Sequence, residues 1–577
     1  MSRPVTRSRF VVLVASCLAA LGLPGIAWGA RRFAPHAARL AVRGIGRRYR
    51  GDRSLFATIS PGVVGRNRAI VSFTLDQQAH VTIAATHMGK RGAAVVWSDE
   101  RRLGAGSHEL TWEPGPDTPV GTYVMRVVVR GNGKRRVYGA SRPLAATRAV
   151  APVVRVLGIE AAFRRRSFVA YEQMPLTILA DVPSLTLTFL RCGHEAVGTG
   201  RNDEMTGLEM APRVTLDWTG KRSGPVTVEV QPGDWPSGVY AARLEAPDGR
   251  VGFAPFVLAT GERARSRQAV VVPTNTWQAY NFYDRDGDGW GDTWYAGGNP
   301  PVGLDRPFLD RGVPPRYRRY DLPFLRWLML NELEPDFLAE DDVDLLGTGD
   351  ALRARYDLIV YPGHTEYVTA TSYEALTRFR DLGGRLIFLS ANNFFWKVER
   401  EAETIRRARL WRDLGRPEAA LLGAQYRAND DGELQRPFVV RAADALPWLF
   451  AGTGLENGSL LGEEIGGFGI EIDQVTRDSP PGTVVVASIS ELYGPGTDAH
   501  MTYYETAAGA RVFSAGALDF SGAVLIPPIH RLLRNLWDHL AERELPPRPV
   551  VSSGGALPSA NARAPRETPW RAPDREP

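Results

Sequence analysis

The chain has 577 residues, of which 44% are hydrophobic and 23% are charged, and its formal net charge is +6. This composition is typical of folded modules, and the length exceeds what one core usually supports, so we expect about two to four domains. The excess positive charge comes from scattered arginines rather than from a basic stripe interleaved with aromatic residues. We therefore do not expect a nucleic acid partner.

The amino terminus has the pattern of a secretory leader. Arginines precede an apolar run over residues 10–28, and small residues at positions 27 and 29 suit a cleavage site just after them. We predict a signal peptide over residues 1–29 and an exported protein. An uncleaved membrane anchor remains an alternative because the run is about long enough to span a bilayer, and so does a lipoprotein box ending at Cys17. Removal of the leader leaves Cys192 as the single cysteine, so no intramolecular disulfide is expected.

The first strand-rich unit covers residues 30–151. Its short alternating apolar runs, such as residues 81–85, are separated by glycine-rich turns and are typical of half-buried strands. We predict a small antiparallel sandwich. The order of segments 72–75, 106–112 and 119–123 resembles the immunoglobulin-like (Ig-like) domain of flagellar hook-capping and secretion-sorting proteins. That resemblance implies a fold and no chemistry.

A second strand-rich unit is predicted over residues 152–262. Residues 185–190 and 239–244 alternate in the same way, and residues 235–240 lead from turn chemistry into a strand. We therefore predict a second antiparallel sandwich. The ordinary interpretation of Tyr240 is a core tyrosine whose hydroxyl is satisfied at an edge.

The periodicity changes near residue 268. Short apolar strands, such as 269–273 and 358–361, alternate from there with segments of helical spacing at 321–331 and 372–382. Strands that alternate with helices predict an α/β layer with a parallel sheet. The predicted division is a signal peptide 1–29, two antiparallel Ig-like β-sandwiches 30–151 and 152–262, an α/β domain 263–545, and a Pro- and Arg-rich disordered tail 546–577.

Two predicted strands of the α/β domain end in polar and aromatic residues. Residues 271–281 (VVPTNTWQAYN) and 361–367 (YPGHTEY) each follow an apolar run. Buried parallel strands deliver functional side chains to the carboxyl edge of a sheet. We therefore place the active site where these two strands end.

The usual hydrolase signatures are absent from the sequence: there is no G-x-S-x-G, HExxH, P-loop or G-x-G-x-x-G motif after a strand. Residues 361–364 after a strand have the outline of a class I glutamine amidotransferase, so the third domain is predicted to be amidotransferase-like. That family uses a cysteine at this turn, and the predicted α/β domain has none, which excludes thiol catalysis there. A histidine, a glutamate and tyrosines remain.

Tyrosine and glutamate oxygens are hard anionic ligands that suit a hard Lewis acid such as ferric iron. A metal with an open position can acidify bound water so that it acts as a nucleophile at neutral pH. A nearby histidine or glutamate can then move the proton. These residue types are therefore compatible with metal-assisted hydrolysis.

Several segments resemble the large (β) subunit of N,N-dimethylformamidase. They occur in the family's order, and the resemblance covers residues 232–537, about half of the chain. The segments are 274–281 (TNTWQAYN), 304–308 (LDRPF), 363–367 (GHTEY), 390–396 (SANNFFW), 469–473 (GIEID) and 502–506 (TYYET).

This resemblance implies an amidohydrolase with one mononuclear ferric iron held by two tyrosines and one glutamate. The glutamate falls on Glu366, one tyrosine on Tyr280, and the other on Tyr240, although the motif around Tyr240 is generic. His364 is expected to assist as an acid or base, and Glu366 belongs to the same catalytic group. The implied substrate is a small amide, and the implied assembly includes a second small subunit or a homo-oligomer. The leader and the extra sandwich depart from the family pattern, so the substrate of this chain stays open.

An acidic loop follows Tyr280. Asp284, Asp286 and Asp288 form a D-x-D-x-D-G start, which is that of a calcium-binding loop. An EF-hand has a glutamate at the twelfth position, where this chain has Tyr295. Calcium binding and a simple acidic glycine-rich turn are both open.

Other candidates have ordinary interpretations as well. An acidic cluster could supply a carboxylate pair or could cap strands and bind arginines, and the aromatic residues 394–396 could wall a pocket or pack in the core. The acidic cluster consists of Glu463, Glu464, Glu471 and Asp473.

The rival functional class is a noncatalytic exported protein that binds a glycan or protein partner, with the α/β domain as a scaffold.

Overall fold

The computed structural model describes residues 34–541, apart from residues 47, 90–91, 140–150, 196–202, 297–298 and 310. The predicted leader at 1–29, its anchor and lipoprotein alternatives, and the predicted tail at 546–577 lie outside the described residues. Within the described residues, no helix is both long enough and apolar enough to cross a membrane.

The first part of the described chain is a sandwich of two β-sheets. Its strands are β1 Ala37–Gly44, β2 Phe56–Ile59, β3 Ala69–Leu75, β4 Ala79–Gly89, β5 Gly92–Leu103, β6 Gly106–Trp112, β7 Gly121–Gly131, β8 Lys134–Tyr138 and β9 Val153–Val156. One sheet has the order β1-β3-β6, and the other has the order β2-β9-β7-β4-β5 with β8 also paired to β7. Alternate residues of both sheets, such as Val71, Val81 and Val127, meet in one buried core.

The predicted strands of this sandwich are confirmed, and the sandwich extends slightly further than expected. Residues 81–85 lie inside β4. Strand β9 begins after the predicted boundary at residue 151, yet it lies in the larger sheet between β2 and β7. Its pairing with β7 is antiparallel, but its pairing with β2 is parallel, which departs from the predicted antiparallel sandwich. The likeness to hook-capping proteins stays a prediction.

A second sandwich follows. Its strands are β10 Ile159–Phe163, β11 Ser167–Val169, β12 Met174–Ala180, β13 Ser184–Cys192, β14 Gly207–Glu209, β15 Val214–Asp217, β16 Val226–Val230, β17 Gly238–Glu245 and β18 Val251–Ala259. The order β10-β12-β16 faces the order β11-β18-β17-β13-β14, with β15 also paired to β13. The parallel β11–β18 pair is an exception to the expected antiparallel pairing. Leu176, Leu187 and Phe256 pack in the shared core.

The third part contains a mixed sheet with helices. Its strands are β19 Gln268–Val272, β20 Val302–Gly303, β21 Asp336–Ala339, β22 Leu358–Tyr361, β23 Tyr367–Val368, β24 Arg385–Phe388, β25 Trp396–Glu401, β26 Thr404–Leu410, β27 Gln425–Asn429, β28 Gln435–Arg436, β29 Phe438–Val440, β30 Leu460–Leu461, β31 Phe468–Gly469, β32 Glu471–Gln474, β33 Val484–Ile489, β34 Ala499–Glu505 and β35 Arg511–Ser514. The α-helices are α1 Thr274–Ala279, α2 Tyr317–Tyr320, α3 Leu322–Leu330, α4 Glu340–Leu346, α5 Gly349–Arg355, α6 Ala370–Asp381, α7 Ala419–Leu422, α8 Pro447–Phe450 and α9 Pro527–Ala541.

The large sheet has the order β21-β19-β22-β24-β35-β34-β33-β29-β30. The strands from β21 to β35 in this order are parallel, and those from β35 to β30 are antiparallel. Both faces of the parallel part are covered: Val270 and Val272 pack in the core that includes α3 and α9, whereas Ala269 and Val271 pack in the core that includes α6. This explains why these strands read as continuous apolar runs rather than as alternating ones.

The predicted elements of this part are confirmed to within two residues. The helices expected at 321–331 and 372–382 are α3 and α6, and the strand expected at 358–361 is β22. The chain as a whole is mostly β-structure with few helices in its described residues. The likeness to the class I glutamine amidotransferases stays a prediction.

Candidate active site at the sheet edge

Two adjacent parallel strands position the candidate residues. Strands β19 and β22 pair directly, so their carboxyl ends lie side by side. After β19 the chain enters the short helix α1, and Tyr280 is the residue that ends this helix. After β22 a four-residue turn leads to Glu366 and then to β23. The backbone N–H of Glu366 donates to Thr276 Oγ1 at 3.1 Å, which fixes the two segments relative to each other.

Three acidic oxygens converge at this point. The hydroxyl of Tyr280 donates a short hydrogen bond to Glu366 Oε2. The hydroxyl oxygen of Tyr367 lies 3.5 Å from that of Tyr280. Glu366 and Tyr367 are only 4% and 2% exposed, whereas Tyr280 is partly buried. Two phenols and one carboxylate thus meet at a place that is largely buried.

His364 links this cluster to a further carboxylate. Its Nε2 lies 3.2 Å from Glu471 Oε2 and 3.6 Å from Glu366 Oε2. Burial lowers the pKa of His364, but the negative charges of Glu471 and Glu366 outweigh it and raise the pKa overall. The imidazole therefore lies between two carboxyl groups, and their charge favours its protonated form.

Burial also shifts the acids of the cluster. It raises the pKa of Tyr280 and of Tyr367 well above the usual range of a phenol, and the neighbouring charge of Glu366 adds to the effect. Burial raises the pKa of Glu366 to about 7. Desolvation disfavours the anionic form of each group, so a cation bound among them would reverse all three shifts.

A cavity of about 210 Å³ opens on this cluster. Tyr280, His364 and Glu471 contribute to its wall together with Asp321. Trp277 Nε1 donates to Asp321 Oδ2 at 3.2 Å, and burial raises the pKa of Asp321 to about 8. The cavity therefore combines ionisable groups of several kinds around a space large enough for a small molecule.

Tyr240 does not lie in this cluster, contrary to its predicted role as a metal ligand. Its hydroxyl donates to the carbonyl oxygen of Pro236 at 2.6 Å, and its ring stacks between Trp235 and Phe256 in the core of the second sandwich. The Tyr240 side chain therefore packs in the core of the second sandwich, and its hydroxyl is satisfied there, as the ordinary interpretation predicted.

The first sandwich repeats this arrangement. Tyr123 is fully buried, and its hydroxyl donates to the carbonyl oxygen of Pro119 at 2.6 Å. Both tyrosines end the pattern P-x-G-x-Y, in which the phenol returns to the carbonyl four residues earlier. This is the contact of a tyrosine corner, a structural device of β-sandwiches. The repeated pattern was visible in the sequence and identifies Tyr240 as a fold residue.

Three residues of the site were not assigned from the sequence. Tyr367 stood inside the segment that supplied His364 and Glu366, and Glu471 was considered only as part of an acidic cluster. Asp321 lies just before α3, and nothing in its local pattern marks it. Residue types within the segments that follow the strands were therefore informative, whereas the contact of Asp321 with Trp277 depends on tertiary packing.

The remaining candidates have structural surroundings. Phe394 is fully buried against Tyr361 and Phe388, so core packing is its role rather than a cavity wall. Asp473 Oδ1 accepts from the backbone N–H of Asn392 at 2.8 Å. The other members of the predicted acidic cluster, Glu463 and Glu464, are exposed.

The acidic loop brings its three aspartates together. Ligand oxygens of Asp284, Asp286 and Asp288 all lie within 4.8 Å of one another. Asp284 also accepts hydrogen bonds from the backbone N–H groups of Gly287 and Gly289, at 2.7 and 2.8 Å. The loop thus has the form of a tight acidic turn whose carboxylates remain close enough to share one cation.

Comparison with known proteins assigns the family. Residues 193–530, more than half of the chain, match the family described as N,N-dimethylformamidase beta subunit-like, C-terminal. The chain belongs to this family. The matched part contains the whole cluster of Tyr280, His364, Glu366, Tyr367 and Glu471, whereas most of the two sandwiches precedes it.

The relatives are similar over part of their length. The N,N-dimethylformamidase beta subunit of Alcaligenes sp is 23% identical over 258 residues, which are 35% of this chain and 34% of that protein. The one of Paracoccus aminophilus is 24% identical over 289 residues, which are 40% of this chain and 37% of that protein. This chain thus spans about a third of the length of either relative.

A solved structure, Salmonella alpha-2-macroglobulin reacted with methylamine, aligns with 39% of this chain and 17% of that one, at 10% identity and a TM-score of 0.21. Similarity at this level supports no conclusion about fold or function.

Proposed function

We propose that the protein is a metal-dependent amidohydrolase that acts on a small amide or a related carbon–nitrogen bond. Membership of the dimethylformamidase beta subunit-like family supports an amidohydrolase-like function. The observation that carries the proposal is the contact of Tyr280 with the buried carboxyl of Glu366, flanked by Tyr367 and His364.

The cluster fits a mononuclear ferric iron. Its donors are two phenols and one carboxylate, which are the hard oxygen ligands that such an ion prefers. Within the described residues, Glu366 has no arginine or lysine partner, and the one imidazole beside it, that of His364, also faces Glu471. A bound cation would therefore add positive charge that the side chains around this cluster supply only in part. Tyr280, Glu366 and Tyr367 would hold the ion, and Tyr367 takes the place that sequence similarity gave to Tyr240.

Bound iron would supply Lewis acidity at the substrate carbonyl and at water. The chain's own residues supply the proton transfers and the geometry. His364 Nε2 accepts a proton from the attacking water and returns it to the departing amine nitrogen, which neutral amide hydrolysis requires. Glu471, whose Oε2 lies 3.2 Å from that nitrogen, stabilises the charged form of the imidazole once it has taken the proton. The burial of Glu366 and Tyr367 limits the access of bulk water to this side of the site.

The setting of the enzyme is part of the proposal. We propose export through the predicted leader, a calcium ion in the acidic loop, and assembly with a second subunit or as a homo-oligomer. The last point follows from the relatives, which are named as beta subunits.

The experiment is metal analysis of the purified protein together with its visible spectrum and its hydrolysis of formamide and dimethylformamide. We expect about one iron per chain and a phenolate-to-iron charge-transfer band. Tyr280→Phe and Tyr367→Phe should each lose iron and colour, whereas the matched substitution Tyr240→Phe should keep both.

A metal-free, inactive protein from iron-replete cells would overturn this proposal and favour the noncatalytic alternative. Loss of iron in Tyr240→Phe but not in Tyr367→Phe would restore Tyr240 as the second phenolate ligand.

A further inference from the structure

A second cleft adjoins the candidate active site. It has a volume of about 480 Å³, more than twice that of the inner cavity at about 210 Å³. The two share wall residues, so they lie next to each other, and we call them the inner cavity and the outer cleft. The shared residues are Tyr280, Tyr295, Pro315 and Arg316.

The outer cleft lies between two parts of the chain. One wall is the end of β4 in the first sandwich, with His87 and Met88, and the other is the segment 313–319 that leads into α2. The first sandwich lies outside the residues 193–530 that match the family. The outer cleft is therefore built partly by a module that the family match does not include.

The inner and outer parts differ in charge. Asp321, Asp430, Asp431 and Glu471 line the inner cavity. Among the described residues that line the outer cleft, none is acidic, and the segment 313–319 contributes three arginines. The outer cleft thus offers positive charge without nearby acidic lining, whereas in the inner cavity Arg316 is accompanied by four carboxyl groups.

Arg316 is the arginine at the junction of the two parts. Its neighbours have partners: Arg319 lies 3.5 Å from Asp519, and Arg318 donates to the carbonyl oxygen of Glu204 at 3.4 Å. Arg316 is exposed and forms no ion pair with any residue in the part of the chain that the structure describes. Its guanidinium can therefore pair with a ligand without first breaking an internal salt bridge.

The backbone also holds Arg316 in an uncommon conformation. Its φ is 65°, in the left-handed region that residues other than glycine rarely adopt. Its carbonyl oxygen accepts from the backbone N–H groups of Arg319 and Tyr320, at 2.9 and 3.0 Å, which keeps the turn in place. Strained backbone that persists in a cleft is typical of functional positions.

We propose that the outer cleft binds the carboxylate of an anionic amide substrate, with Arg316 as its partner, while the amide group reaches the inner site. This deepens the proposed function and rests on it for the position of the amide. Arginine suits a carboxylate because its planar donors form two parallel hydrogen bonds. A neutral molecule as small as dimethylformamide would leave the outer cleft unused, whereas an N-formyl amino acid would occupy both parts.

The test compares two ligands of nearly equal size, N-formylglycine and the neutral N-formylglycinamide, by isothermal titration calorimetry on the full metal-loaded protein. We expect N-formylglycine to bind about tenfold more tightly, since a hydrogen bond to a charged group is worth about that factor. Arg316→Gln should abolish the preference and Arg316→Lys should keep part of it. The control Arg477→Gln, at an arginine whose side chain is 93% exposed, should keep all of it.

Equal affinity for the two ligands, or an unchanged preference in Arg316→Gln, would overturn the proposal. If Arg316→Gln fails to fold, the wild-type preference at low and high salt decides, because an ion pair in an open cleft weakens with ionic strength. Hydrolysis is followed separately. Binding with the anionic preference but no turnover of any amide would overturn the proposed function alone, and turnover of neutral amides without the preference would overturn the anion cleft alone.

Discussion

The second sandwich holds a buried tyrosine, Tyr240, and the edge of the mixed sheet holds a partly buried one, Tyr280, and the two make opposite kinds of contact. In the sandwich, Tyr240 donates to the carbonyl oxygen of Pro236, a neutral group four residues away in its own strand connection. At the sheet edge, Tyr280 donates to Glu366, an acid contributed by a different strand end. The first contact satisfies a buried polar group locally, whereas the second gathers acids that are costly to bury without a cation.

This difference separates residues that stabilise the fold from residues that take part in the proposed chemistry. Substitutions in the sandwich core should lower stability and leave chemistry intact. Substitutions at the sheet edge should remove chemistry, with little loss or even a gain of stability, because the groups there are mutually unfavourable when buried.

The largest expected effect is on turnover in His364→Ala. The variant should keep its iron, since His364 contacts carboxylates rather than serving as a ligand, and should lose about 10²- to 10⁴-fold in kcat, the usual contribution of general acid–base catalysis. His80→Ala, at an exposed position of β4, is the control. Iron content and amide hydrolysis are measured on the same samples. Retained turnover in the variant would remove His364 from the mechanism.

Calcium should stabilise the loop next to the sheet edge. After chelator treatment, added calcium should raise the melting temperature of the wild-type protein, because an ion at about 100 times its Kd adds about 2.7 kcal/mol to the stability of the folded state. Asp286→Asn should lose the response, and Asp538→Asn, on the exposed side of α9, should keep it. An unchanged melting temperature in millimolar calcium would leave the acidic turn as a purely structural feature.

Asp321 should make stability depend on pH. The folded protein raises the pKa of this carboxyl to about 8, whereas the unfolded chain releases the proton near the ordinary value. The folded state thus binds more protons in this window, and its stability falls as pH rises from about 4 to about 8, by up to about 1.4 kcal/mol per pH unit.

Asp321→Asn should remove this contribution. Its advantage over the wild-type protein should be absent near pH 4 and greatest near pH 8, as measured by urea unfolding of the metal-free protein. Asp538→Asn serves again as the control. Parallel pH profiles for wild type and Asp321→Asn would show that Asp321 ionises normally.

The smallest expected effect is in the sandwiches. Tyr240→Phe and Tyr123→Phe should each lower the free energy of unfolding by about 1 kcal/mol, the usual net value of a hydrogen bond, without changing iron content or turnover. Urea unfolding measures the loss. A stability change in Tyr123→Phe alone would mean that the tyrosine-corner hydrogen bonds of the two sandwiches do not contribute equally.

The sequence by itself determined the periodic elements and their order. The alternating run at 81–85 lies in a sandwich strand, and the segment of helical spacing at 372–382 forms α6. Burial of apolar side chains on one face of an element requires a regular spacing of apolar residues along the chain, and this spacing can be read from the sequence. The sequence also determined that Tyr280, His364 and Glu366 follow two strands, which placed them at one edge of a sheet.

Tertiary structure decided which of these residues meet. Sequence similarity assigned the same role to Tyr240 and Tyr280, and only the packing shows that Tyr240 is buried in a sandwich core whereas the partly buried Tyr280 contacts Glu366. The approach of Glu471 to His364 joins segments more than a hundred residues apart, which no local pattern records. Periodicity is a property of neighbours along the chain, whereas a site is a property of neighbours in space, so the first could be read from the sequence and the second required the fold.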